Sequence, residues 1–160
     1  MNTWIVCGSQ SGAKIYHCSD LKKGLRFVAN LPHPEGRLRE QELVSDQPGV
    51  KAASVGPGLV GGRHGANPKE DAKNELIDEF ALHLSKEIDR GVDQQAFDSL
   101  IVCADPKFLG KVRAKLSKRA ERLVIGSLNL NFYNSEEDDL FKDVLPIIQN
   151  SLVVRGGAVA

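Results

Sequence analysis

The feature that most constrains this chain is the apolar run FDSLIVCA at residues 97–104. A strand with one wet face alternates polar and apolar residues, whereas a near-continuous apolar run suits a strand buried on both faces. Such a strand has to be covered from both sides, which requires a sheet flanked by helices.

The segments around it supply the rest of that sheet. TWIVCGS is apolar and β-rich, and AKIYHCS alternates, with Ala13, Ile15 and His17 on one face and Lys14, Tyr16 and Cys18 on the other. LRFVANL places Leu25, Phe27, Ala29 and Leu31 on a single face. GSQSG and SDLKKG fit as the intervening turns, so the chain opens as an antiparallel meander. A long helix is expected from Pro68, with Asn67 as its cap and Glu70 placed to complete a capping box. Ala72, Leu76, Phe80, Leu84 and Ile88 recur every four residues, Ile77 and Ala81 widen the stripe, and His83 falls on it as a core histidine. This helix is expected to run to about Asp89 and stop before Gly91. A second helix follows from DPKFLGKVRAKL, with Asp105 as cap, then a strand from ERLVIGSLNLN. A last helix comes from SEEDDLFKDVLPII, capped by Ser135 and kinked or ended by Pro146.

The order is therefore β-β-β-α-β-α-β-α. It predicts a mixed α/β sheet with helices on its faces, antiparallel at first and parallel where helices make the crossovers, resembling the ribonuclease-H-like architecture. At 160 residues the chain is one domain spanning 1–150, with 151–160 as a C-terminal tail. A formal net charge of +0 argues against general adhesion to nucleic acid or anionic membrane. No run reaches the roughly 18 apolar residues of a membrane span. The first ten residues lack the pattern of a secretory signal, and Cys7, Cys18 and Cys103 sit in strand-like segments, as reduced, buried thiols would. These features predict a cytoplasmic protein.

Residues 33–67 carry no sustained period and hold seven glycines and three prolines, which predicts a long, mobile loop between the third strand and the first helix. Within it, SVGPGLVGGRHGANPKE feeds a helix start. Free N–H groups of Gly61 and Gly62 at the positive end of a helix make an anion cradle, to which Arg63 adds charge and His64 a titratable donor. The same residues also suit a plain surface loop. Arg37 and Arg39, two apart, could clamp a phosphate or stand solvated among Glu35, Glu40 and Glu42. The run KVRAKLSKRAER would turn Lys111, Lys115, Lys118 and Arg119 outward from a helix, again a solvated face or a contact to a nucleic-acid backbone. No interleaved aromatics indicate base stacking, and no specificity for DNA is indicated. No Cys/His cluster has metal spacing, and no nucleophile is identifiable. The sequence thus predicts no cofactor and no metal, and leans away from an enzyme. A hydrolase using His64 beside Arg63 as base is the least favoured alternative.

TWIVCGSQSGAKIYHC, PEGRLREQELVSDQPG, GGRHGANPKEDAKNELIDEFALHLSKEID and FDSLIVCADPKFLGKVRAKLSK, in that order, resemble the bacterial host attachment protein family over residues 3–145. The resemblance implies a relation to the central domain of archaeal and eukaryotic peptide-release factors, with its ribonuclease-H-like sheet. Where that domain carries a Gly-Gly-Gln loop, this chain has Gly61-Gly62-Arg63, which removes the glutamine of peptidyl-tRNA hydrolysis. The expected function is a non-catalytic or weakly catalytic module contacting RNA or the ribosome. The alternative, which the family name implies, is a protein-interaction factor needed for attachment to host cells.

Overall fold

The computed structural model describes residues 1–33, 68–130, 133 and 135–159. Five strands form one mixed sheet: β1 Thr3–Ser9, β2 Gly12–Cys18, β3 Arg26–Pro32, β4 Ser99–Cys103 and β5 Val124–Leu128. Their spatial order is β3-β2-β1-β4-β5. β1 pairs antiparallel with β2, and β2 with β3, while β1 and β4, and β4 and β5, are parallel. The helices are α1 Pro68–Asp93, α2 Pro106–Lys115, α3 Lys118–Leu123 and α4 Glu137–Val159, with a short 3-10 turn at Leu21–Lys23. The expected loop at 33–67 and the Asn67 cap lie, apart from His33, outside the described residues.

Alternation along the strands divides the interior into two cores. Val6, Ala13, Ile15, Leu100 and Val102 pack against Ile77, Phe80, Leu84 and Ile88 of α1 and Phe108 and Val112 of α2. Ile5, Cys7, Tyr16, Ile101 and Cys103 face the other way, onto Leu140, Val144 and Ile148 of α4. Every residue of β4 is buried, as its apolar run requires. Burying side chains of this size is worth about 1.5–3 kcal/mol each, so β4 and its neighbours are the main source of stability.

The structure corrects several local expectations. The single face assigned to Leu25, Phe27, Ala29 and Leu31 is split by a β-bulge: Tyr16 pairs with Phe27 but Ile15 with Ala29, leaving Val28 as the extra residue. Ala29 and Leu31 therefore meet the α1 core, while Phe27 lies edge-on to Tyr16 on the opposite face and is 49% exposed.

α1 does not stop before Gly91. Gln95, at φ 56°, ends it instead, with Ala96 N donating to Gly91 O and Gln95 N to Val92 O, a Schellman closure. Gly91 has a packing role, because a Cβ there would sit 2.7 Å from Trp4 ring carbons. His83 is also exposed rather than in the core.

The run 111–122 is not one helix. Ser117 interrupts it, accepting from Ala120 N at 3.1 Å to cap α3 and donating to Asp89 at 2.7 Å. β5 accordingly begins at Val124 rather than at residue 121.

Finally, α4 runs through Pro146 and takes in residues 151–159. Pro146 is exposed, so the missing hydrogen bond falls on the wet side of the helix. The first backbone bond of α4 is Leu140 N to Glu136 O, which puts Glu136 rather than Ser135 at the cap.

Candidate functional site

Contacts between helices fix their directions. Lys107 donates to Asn74 at 3.2 Å, Lys111 to Asp78 at 2.6 Å, and Arg119 to Asp93 at 2.8 Å. Residue numbers rise together across these pairs, so α1 and the α2–α3 segment run side by side in one direction. Both begin at the carboxyl ends of β1 and β4. From β1 the chain continues to β2 on one side, and from β4 it continues toward β5 on the other. In open α/β sheets ligands commonly bind at such a point.

The residues at this end are held closely. The backbone of Gly8 lies under Phe108, whose Cε2 would be 2.6 Å from an added Cβ. Asp105 caps α2 by accepting from Phe108 N at 3.2 Å, and the first turn of α2 contains no acidic residue. Pro106 has no N–H, and Phe108 N and Leu109 N both donate to Asp105, so the Asp105 carboxylate itself occupies the positive end of α2. Ser9 Oγ donates to Gly12 O and accepts from Ser11 N, so its hydroxyl serves the β1–β2 turn. His33 is anchored three ways: its N donates to Ser11 O, its Nδ1 lies 2.6 Å from Gln10 O, and its ring stacks on Phe80 with centroids 4.4 Å apart. This position fixes where the chain leaves the described fold, and Pro68 marks where it re-enters, at the start of α1. The anchoring of His33 escaped the sequence reading. Its signal was the strand ending at Pro32 beside a stripe containing Phe80.

The other face at the same end is acidic. Glu137, Asp138 and Asp139 fill the first turn of α4, next to Glu136.

Of the residues singled out by sequence, Gly61, Gly62, Arg63, His64, Arg37 and Arg39 lie outside the described residues. Lys111 is set against Asp78 and Arg119 against Asp93, both carboxylates of α1. Lys115 is half-buried on α2, and Lys118 is exposed at the first position of α3. Lys111 and Lys115 thus lie on α2 with both charges near Asp78, while Lys118 and Arg119 lie on α3. Lys111 holds the Asp78 carboxyl below its ordinary range, first by hydrogen bonding and also by charge. Among the described residues, no group of three His, Cys, Asp or Glu could hold a metal ion, and no helix is long and apolar enough to cross a membrane.

The fold is an α/β domain with helices on both faces of a five-stranded mixed sheet. Residues 4–144 match the model of the family described as "Protein required for attachment to host cells", and the chain belongs to that family. No curated protein matches it.

Proposed function

We propose that this protein is a non-catalytic or weakly catalytic module that contacts RNA, on or near the ribosome, through the carboxyl end of its parallel strands. The observation that carries this reading is the convergence there of the N-termini of α1 and α2 with the two points, His33 and Pro68, between which Arg37, Arg39 and Gly61-Gly62-Arg63-His64 are strung. The backbone N–H groups of Gly61 and Gly62 together with the arginines suit a phosphate backbone, which needs no base readout. The strand order β3-β2-β1-β4-β5 supports reading the domain as ribonuclease-H-like, the architecture of the release-factor central domain. Arginine in place of the release glutamine at residue 63 favours binding over peptidyl-tRNA hydrolysis.

Sucrose-gradient sedimentation of lysate, with stalled ribosomes present, tests the proposal. The protein is expected in ribosomal fractions at low salt and at the top of the gradient at high salt. Arg63→Ala is expected to lower the salt slope of RNA binding by about one. Protein wholly at the top under low salt sinks the reading.

The second reading is a protein-contact factor in attachment to host cells, the process that the family's description names. It is favoured by the pairing of Lys111 and Arg119 with carboxylates of the same molecule, which leaves less positive charge for a polyanion. Protease shaving of intact cells separates the two, since only a surface protein would be cut.

A further inference from the structure

β3 is an edge strand: it pairs with β2 on one side, and no strand of the sheet lies on the other. An unpaired edge presents a row of backbone N–H and C=O groups, a template for one more strand. Two large apolar residues of this edge, Phe27 and Val28, are exposed. β5, at the other edge, is half-buried along its whole length. The bulge at Val28 and the missing N–H of Pro32 limit the regular part of β3 to residues 29–31. Backbone pairing alone would therefore hold a partner weakly, and side chains have to supply the rest.

The start of α4 supplies them. An open hollow of about 620 Å³ lies between β2, β3 and α4, lined by Lys14, Tyr16, Phe27, Glu136, Glu137 and Asp138. Phe27 thus belongs to both the edge and the hollow. The three carboxylates outnumber Lys14, whose ammonium lies over the Tyr133 ring, 5.0 Å from its centroid. Arg26, at the first position of β3, is turned to His17, its Nη2 3.5 Å from His17 Nδ1. The dipole of α4 accounts for acids in its first turn. It does not account for their sharing a hollow with an exposed aromatic ring on an unpaired strand.

An extended polypeptide suits all of these features together. It can lengthen the sheet, lay apolar side chains on Phe27 and Val28, and set a cation beside the carboxylates and the Phe27 ring. The same acids repel a phosphate backbone, and a free cation leaves the strand edge unpaired. We propose that β3 docks an extended, lysine- or arginine-bearing segment of a partner protein, with its cations against Glu136, Glu137 and Asp138. This surface does not depend on the RNA contact. It gives the protein-contact reading a place on the molecule, and a failed ribosome gradient would leave it standing.

The test is titration of the full chain, at low salt, with a capped peptide of alternating lysine and valine as long as β3, 7 residues. Saturable amide shifts in β3 and the first turn of α4 are expected, with slowed hydrogen exchange of the β3 amides. E136Q/E137Q/D138N is expected to weaken binding at least about threefold, since each exposed ion pair is worth up to about fivefold. Phe27→Lys, which sets a like charge on the edge, is expected to abolish it. Both variants change exposed side chains, so amide shifts elsewhere in the sheet should stay in place. Shifts that do not saturate, equal binding of a glutamate–valine peptide, or unchanged affinity in E136Q/E137Q/D138N would each overturn the proposal. A free chain that sediments as a dimer with its β3 amides already protected would overturn it too, giving the edge to a second copy.

Discussion

Single residues in this domain are placed by how closely the backbone can approach an aromatic ring. Gly91 is the clearest case: a Cβ there would lie 2.7 Å from Trp4 and 2.8 Å from Phe97, and those two rings stack at 4.6 Å. Neither ring can move away without breaking the stack, so Gly91→Ala overpacks the site. A loss of about 1–3 kcal/mol in urea unfolding is expected. The gain in helix propensity, about 1 kcal/mol for Gly to Ala, acts in the opposite direction. Stability equal to or above the parent would mean the rings give way freely. This role was not legible in the sequence, where a glycine near the end of an amphipathic pattern reads as a stop. Two facts were needed to correct it, the stacking of Trp4 from another strand and the positive φ of Gln95, and neither has a local signature.

Elements were legible where a periodic pattern agreed with their surroundings. β1, β2 and β4 and the body of α1 follow their apolar periods, and Asp105-Pro106 starts α2 as its cap chemistry dictates. The bulge in β3 was hidden because Phe27 and Ala29 are both compatible with one face, and only pairing to β2 decides the register. The break at Ser117 was hidden because Ser117 takes its role from Asp89 of α1, far away in sequence. The candidate site followed the same rule: the glycine-rich segment, Arg37 and Arg39 were readable as motifs, whereas the pairing of Lys111 and Arg119 with α1 depended on helices meeting. That pairing makes a prediction for α1 and α2 together. Asp78 has a lowered pKa in the fold, so it binds fewer protons there than in the unfolded chain. Its contribution to stability is therefore present above its unfolded value of 3.8 and lost as pH falls through the lower folded value. Lys111→Met is expected to raise the Asp78 pKa in a carboxyl-detected NMR titration. The accompanying loss at neutral pH should be below about 1 kcal/mol, because Asp78 is 46% exposed and screened by solvent. An unmoved Asp78 titration would show that the contact is not formed in solution.

Across the whole molecule, the sheet is protected unevenly from one edge to the other, and opening should follow that gradient. β4 lies between β1 and β5 with both faces covered, and all five of its residues are buried. β3 is an edge strand in which Leu31 alone is buried, and Phe27 and Val28 are 49% and 38% exposed. Exposing Ile101, Val102 or Cys103 to water requires parting both cores at once, because successive residues of β4 belong to opposite sides. Such an opening costs nearly the full unfolding free energy. Releasing β3 uncovers little beyond Ala29 and Leu31, and leaves the β2–β1–β4–β5 pairing intact. Native-state hydrogen exchange is therefore expected to give the slowest amides in β4 and β1, with exchange governed by global unfolding. The β3 amides bonded to β2 are expected to exchange about a hundredfold faster or more, through a local opening insensitive to low denaturant. Equal protection of β3 and β4 would mean that the edge strand is covered in solution by something that buries Phe27 and Val28, and the gradient across the sheet would then be wrong.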